Sequence, residues 1–206
     1  MLAAFQEGVD IHARTAAEVF GVDLADVTSE LRRRAKAVNY GLAYGLTGFG
    51  LSRQLGISRA EADAIHNRYF ERFSAVKAYQ DRLIEEARAS KQSSTLFGRT
   101  RPLPHIDTRK FNDRRAAERL AINTPIQGTA ADILKYAMVA LDRRLRAEEP
   151  DAHLLLTVHD ELVVECPAER AEGVAALLRA EMEGAAELRV PLVVDVAIGD
   201  NWADIH

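Results

Sequence analysis

Three groups of side chains have the types and spacing to do chemistry. Arg32, Lys36 and Tyr40 recur at i, i+4 and i+8, which stacks them along one face of a helix. A guanidinium, an ammonium one turn on, and an aromatic ring beyond them suit a polyphosphate that carries a base or sugar. Gly41 and Gly45 follow at once and would let a ligand approach the backbone closely. The same spacing also fits an exposed basic helix with a core-facing tyrosine. The second group, His159-Asp160-Glu161, lies between two short apolar runs, 154–158 and 162–166. Adjacent acids at the tip of a hairpin are held outward on a rigid support, and hard oxygen donors favour Mg²⁺ or Mn²⁺. An acidic β-turn has the same composition. The third group is Arg119, Asn123 and Gln127. These types can donate to the O2 and N3 acceptors present at every base pair in the minor groove, which inspects pair geometry without reading sequence. A capped, kinked helix pair would use them equally well.

The elements that must position these groups are mostly helices. The pattern predicts a helix over about 10–20, with Asp10 as N-cap and Gly21 just past its end. A second starts at Thr28 or Ser29 and runs to about Tyr40, where a series of glycines breaks it up. Ser58-Arg59-Ala60-Glu61 has the form of a capping box and opens a helix to about Phe73, followed by another to about Ser90. Residues 94–103, turning at Gly98, read as a short hairpin. A basic helix over about 112–123 is interrupted by Pro125, and a longer one covers about 128–148. The apolar runs around His159 form a second hairpin, then a helix over about 168–183 and a strand over 192–198 close the chain. The class is α+β, with a small antiparallel sheet backed by helices.

Charge is unevenly spread along the 206 residues, whose net charge is −4. Residues 28–53 hold five basic residues against one acid, a net of +4, and residues 88–119 hold nine against three, a net of +6. From residue 147 onward there are 14 acids and three arginines, a net of −11. A basic surface for phosphates beside an acidic body fits this asymmetry, as do solvated helix faces. The single cysteine, Cys166, excludes an intrachain disulfide framework and fits a reducing cytoplasm. No apolar run has the length of a membrane span, and no secretory signal pattern opens the chain.

The motifs together carry a resemblance. Arg32-Arg-Arg-Ala-Lys36-Ala-Val-Asn-Tyr40-Gly41-Leu-Ala-Tyr44-Gly45 resembles motif B of family A DNA polymerases, the bacterial DNA polymerase I group. His159-Asp160-Glu161 resembles their motif C, and the similarity runs from about Leu2 through the Asp200-Asn201-Trp202 ending. The resemblance implies a helical fingers domain over about 1–113, then the C-terminal part of a palm over 114–206. It implies an incoming deoxynucleoside triphosphate held by Arg32 and Lys36 at its phosphates, with His12 of Asp10-Ile11-His12 also reaching them. Tyr40 would pack on base and sugar, and Tyr44 would stand beside the templating position. At the Tyr40 position the family has Phe or Tyr, a difference associated with selection against sugars lacking a 3′-OH. The resemblance assigns Asp160 to the catalytic metals, two Mg²⁺ or Mn²⁺ ions in the complete enzyme, with Glu161 close by and His159 at the primer terminus. Arg119, Asn123 and Gln127 would contact primer-template DNA near the active site, and Arg114 and Arg115 its phosphates. Lys36, Asp160 and Glu161 are thus the catalytic candidates, in an enzyme expected to be a cytoplasmic monomer without membrane attachment.

One part of the family's chemistry has no counterpart here. Two-metal transfer clamps the attacking and leaving oxygens between ions roughly 3.5–4 Å apart. In this family a second aspartate for those ions comes from motif A, a strand bearing Asp-Tyr-Ser-x-Ile-Glu, and no such stretch is present. In family register Met1 falls shortly after that strand would end; thumb, remaining palm and any exonuclease domain are likewise not represented. The chain alone is therefore expected not to extend a primer. A rival reading is a non-catalytic DNA- or nucleotide-binding module. A metal phosphohydrolase built on His159, Asp160 and Glu161 would need further clustered ligands, and His66, His105, His153 and His206 show no such spacing.

Overall fold

A computed structural model describes Gly8 and residues 10–205. The fold is α+β, mostly helical with two small antiparallel sheets. Residues up to Gly128 form one compact unit and those from Thr129 onward a second.

In the first unit α1 (Ile11–Phe20) begins at Asp10, whose carboxylate accepts from the His12 and Ala13 N–H groups, and ends at Gly21 with φ 72°. Helix α2 (Ser29–Ala43) is capped by Thr28, whose hydroxyl accepts from the Leu31 N–H at 3.2 Å. It runs about a turn past the predicted break at Gly41, because its true stop is a Schellman motif. Gly45 at φ 79° donates to the Leu42 carbonyl and Leu46 to the Gly41 carbonyl. Gln80 also braces this end, its side-chain amide donating to the Leu42 and Ala43 oxygens at 2.7 and 3.1 Å.

Helices α3 (Gly48–Leu55), α4 (Arg59–Arg72) and α5 (Ser74–Ser90) follow. The Ser58 hydroxyl caps α4 by accepting from the Glu61 N–H, while the Glu61 carboxylate stands 3.7 Å from Arg34 of α2. The core of this bundle is Val19, Val38, Leu42, Leu51, Ala62, Ile65 and Tyr69, all essentially sealed from water. Each such leucine or isoleucine contributes about 1.5–3 kcal/mol.

Tyr69 carries a defect within that core. Its hydroxyl is buried with no hydrogen-bond partner among the described residues, and desolvation pushes its pKa up to about 12. An unmade buried hydrogen bond costs about 1–3 kcal/mol. Tyr69→Phe is therefore expected to leave the chain equally stable or up to about 1 kcal/mol more stable in urea titration; a loss above that would mean the hydroxyl has a partner.

Strands β1 (Gln92–Ser94) and β2 (Thr100–Pro102) pair antiparallel, with Ser93 opposite Arg101. A hairpin is present as predicted, but its first strand lies earlier than the predicted 94–97, and residues 95–99 form the turn. Helix α6 (Phe111–Asn123) then leads into a π-helical turn, Thr124–Gly128. The interruption predicted at Pro125 is this π turn. Proline removes the N–H that would bond the Ala121 carbonyl; Ser93 of β1 supplies the missing donor, its hydroxyl reaching that oxygen at 3.0 Å. Arg99 further braces the turn by donating to the Gly128 carbonyl at 3.0 Å.

The second unit contains α7 (Thr129–Glu148), β3 (His153–Val158), β4 (Glu161–Glu165) and α8 (Ala171–Glu183). Strands β3 and β4 pair antiparallel through Val158 opposite Glu161, with a bulge at Leu155. Leu141, Leu145, Val174, Leu177 and Leu178 form the core, and Leu154, Leu162, Val164, Val194 and Val196 pack on it. The strand predicted at 192–198 is not formed, although Val194 and Val196 pack on the core. Its backbone is bonded to side chains of α8 and not to a ladder: the Val194 N–H donates to the Glu183 carboxylate and the Val194 carbonyl accepts from Arg179. Among the described residues no helix is long and apolar enough to cross a membrane.

Candidate functional site

The α1–α2 pair assembles the first group of candidates. Helix α2 buries Ala35, Val38, Asn39 and Leu42 and leaves Arg32, Lys36 and Tyr40 on its exposed side. Tyr40 is 50% exposed, so its ring is not a core residue; Val38 and Leu42 fill that role. The ring stacks at 6.4 Å on Tyr44, the residue that caps α2, and lies 5.8 Å from the His12 ring on α1. His12, Tyr40 and Tyr44 therefore form one aromatic row beside two cations.

Electrostatics on this face come from a few groups. The Asp10 carboxylate, already the cap of α1, accepts from Arg32 Nε at 2.5 Å. That bond, with the two cap bonds, holds the Asp10 carboxyl below its usual range. Both partners are roughly half exposed, and such a pair stabilises by only about 0.2–1 kcal/mol, so Arg32 is oriented but easily recruited by another anion. The Lys36 ammonium has no ion-pair partner among the described residues. Burial lowers the His12 pKa, with Arg32 and Lys36 adding to the effect and Asp10 opposing it. His12 is thus a neutral imidazole near pH 7, a hydrogen-bonding group and not a third cation.

The glycines do a different job from the one the sequence suggested. A Cβ at Gly41 would meet the Leu46 side chain at 2.8 Å, and one at Gly45 would meet Ile122 at 3.1 Å. The space is taken by the protein's own side chains, which lock the end of α2 to its surroundings. Gln80, which holds the α2 carbonyls, lies 40 residues from Tyr40 in sequence and gave no signal there.

The third group is set out along α6 and the π turn. Arg119 is exposed and without an ion-pair partner among the described residues, and its side chain comes close to Gly45 at the end of α2. Arg114 donates to the Thr108 carbonyl and, with Arg115, lies over the Phe111 ring. Arg115 also reaches Glu118, a buried acid that Arg88 pairs at 2.9 Å. Arg115 is thus partly spent on the protein itself. Asn123 is half-buried, and its Oδ1 has no partner among the described residues; Gln127 is exposed on the π turn. Such single-turn widenings of a helix recur at functional sites.

In the second unit, His159 and Asp160 are the two-residue loop of the β3–β4 hairpin. Both are exposed, and Glu161 opens β4 beside them. His159 sits at φ 54°, a left-handed conformation costing a non-glycine residue about 1–2 kcal/mol, which typically persists where position matters more than stability. Among the described residues no hydrogen bond or ion pair occupies the Asp160 oxygens, and the Thr157 hydroxyl pins the strand ends by donating to the Glu161 carbonyl. Among the described residues no group of three or more His, Cys, Asp or Glu is placed to hold a metal; His206 lies outside them. Asp160 and Glu161 offer hard oxygens of the kind a divalent cation takes, and the described residues add no third ligand to them.

These elements define a class: a helical unit with a basic, aromatic face, followed in the chain by a hairpin that offers a carboxylate. The model of DNA polymerase family A matches residues 1–204, and the chain belongs to that family. It is similar to DNA polymerase I of Pseudomonas aeruginosa, 50% identical over 206 residues, and to that of Geobacillus stearothermophilus, 49% identical over 204. These matches take in 100% and 99% of the chain but only 23% of either relative, so it spans about a quarter of their length. The POL domain of Pol1 from M. smegmatis, solved in complex with DNA primer-template and dNTP, superposes with a TM-score of 0.94 at 42% identity, over 100% of the chain and 36% of that structure.

Proposed function

We propose that this chain is the nucleotide-binding and C-terminal catalytic portion of a DNA-directed DNA polymerase that adds deoxynucleoside triphosphates to a primer 3′ end. The observation that carries it is the gathering of His12, Arg32, Lys36, Tyr40 and Tyr44 on one accessible face of α1 and α2. The Pol1 structure that resembles the chain was solved with primer-template and dNTP, which supports DNA and nucleotide as partners. Residues 1–113 act as fingers and 114–206 as the C-terminal part of the palm.

In this reading the triphosphate draws Arg32 from Asp10 and gains Lys36, two cations that neutralise charge as the phosphate chain is cleaved. Tyr40 and Tyr44 give base and sugar a flat apolar bed, and His12 donates a hydrogen bond to phosphate. Arg119, Asn123 and Gln127 lie against the minor groove of the new pair, with Arg114 and Arg115 toward backbone phosphates. Asp160 and Glu161 would hold Mg²⁺ or Mn²⁺, which when bound supplies Lewis-acid stabilisation of the transferring phosphoryl oxygens. A partner carboxylate from a motif A strand completes that site, in a monomeric cytoplasmic enzyme serving replication or repair.

The test uses the purified chain with primer-template, dNTP and Mg²⁺. Duplex affinity is expected to be indifferent to sequence and to fall at least about tenfold between 50 and 200 mM salt, with no nucleotide incorporated. Salt-independent affinity would remove the basic-surface argument, and templated incorporation would show that motif A is dispensable. A second reading, a binding module without chemistry, is favoured by the incomplete carboxylate set. It predicts that joining a motif A strand restores no activity.

A further inference from the structure

Behind the exposed row of ligand candidates lies a buried polar cluster that no role so far absorbs. Asn39 faces into the α1–α2 interface, whereas its neighbour Tyr40 is exposed, and it is buried together with Thr15 of α1. The Asn39 amide and the Thr15 hydroxyl lie 3.0–3.1 Å apart, through both Oδ1 and Nδ2. The remaining reach of Nδ2 is to His12 Nδ1, at 3.0 Å. A buried amide in this position is costly to leave unmade and is well suited to dictate the state of its neighbour.

An amide nitrogen can only donate. A ring nitrogen facing it must therefore carry a lone pair, and in a neutral imidazole the proton then resides on the other nitrogen. We infer that Asn39, braced by Thr15, is a positioning residue that holds His12 as the Nε2–H tautomer and aims that N–H at the face lined by Arg32, Lys36 and Tyr40. The polar groups around the ring agree. Asp10 on α1 is engaged by Arg32, and the Arg32 and Lys36 charges on α2 disfavour a protonated ring. Two cations and one fixed neutral donor can then surround an anion without the added repulsion of a third charge. This assignment of the donor's use rests on the nucleotide reading above; the tautomer itself does not.

Nuclear magnetic resonance of the ¹⁵N-labelled chain at neutral pH tests it. The His12 ring is expected to show a protonated Nε2, an unprotonated Nδ1, and a scalar coupling across the hydrogen bond between Asn39 Nδ2 and His12 Nδ1. A protonated Nδ1, or a ring averaging between tautomers, overturns the inference, and this measurement on the unaltered chain needs no variant to fold. Asn39→Asp, nearly isosteric, replaces the donor by an acceptor and is expected to place a proton on Nδ1; an unchanged ring pattern in the folded variant also overturns it. Adding a deoxynucleoside triphosphate is expected to shift the Nε2 resonance. The predicted tautomer with no such shift upholds Asn39 as the positioning residue and counts against the nucleotide reading instead.

Discussion

Asp160→Asn is expected to lower kcat by on the order of 10³-fold or more in a polymerase that carries this segment downstream of a motif A strand. The amide keeps the shape of the carboxylate and the hairpin around it. Nothing in the fold depends on the charge: Asp160 is exposed in a two-residue loop, and the loop is held by the Val158–Glu161 pairing and the Thr157 hydroxyl. What disappears is an anionic hard-oxygen ligand for a divalent cation. Duplex affinity should change little, because the residues proposed to contact DNA, Arg114, Arg115, Arg119, Asn123 and Gln127, lie on other elements. Single-turnover incorporation and a binding titration separate the two quantities. Activity retained within about tenfold would mean that motif C has been assigned to the wrong residue.

Tyr40→Phe is the second large expected effect, and it concerns one hydroxyl. The Tyr40 ring is half exposed, stacked on Tyr44 and close to His12, so its phenol is on the accessible side of α2 and not in the core. A dideoxynucleotide lacks the 3′-OH that makes a polar contact in the pocket; a phenol can stand in for that group. With Phe, the pocket is left with an unpaired polar group, at about 1–3 kcal/mol or roughly a 5- to 150-fold preference for the normal sugar. The same polymerase is therefore expected to accept dideoxynucleotides readily with Tyr40 and to discriminate with Phe. The ratio of kcat/KM for deoxy- and dideoxynucleoside triphosphates measures it. An equal ratio in both forms would show that the hydroxyl does not replace the sugar's. Because the substitution leaves ring size and stacking in place, a general loss of activity would point instead to the tyrosine's bonding in the row.

The two predictions draw on different levels of information. Arg32, Lys36 and Tyr40 were readable from sequence as one helical face because their relation is local: four residues advance a helix by about one turn. Thr28, Asp10 and Ser58 were readable as caps for the same reason, since a cap bonds to N–H groups two or three residues away. The hairpin around His159-Asp160 was legible from two apolar runs with polar residues between them. The family, and with it the α+β class, was legible from the order and spacing of motifs.

Tertiary structure decided what depends on residues far apart in the chain. Whether Tyr40 faced core or solvent could not be settled by spacing, because a helix has two sides and only the packing of α1 selects one. Gly41 and Gly45 looked like open backbone for a ligand until Leu46 and Ile122 were seen to fill the space. Pro125 marked an interruption in the helix; that it takes the form of a π turn goes with a serine 32 residues earlier, which supplies the missing donor. Val194 and Val196 alternate as in a strand, yet periodicity specifies only which face is buried, and the α8 side chains Arg179 and Glu183 take the Val194 backbone groups a ladder would need. The bond from Asn39 to His12 spans 27 residues, and no local pattern encodes a donor aimed across a helix–helix interface. Sequence fixes which side chains share an element because that depends on backbone period alone; their protonation, partners and exposure depend on what the other elements bring within hydrogen-bonding distance.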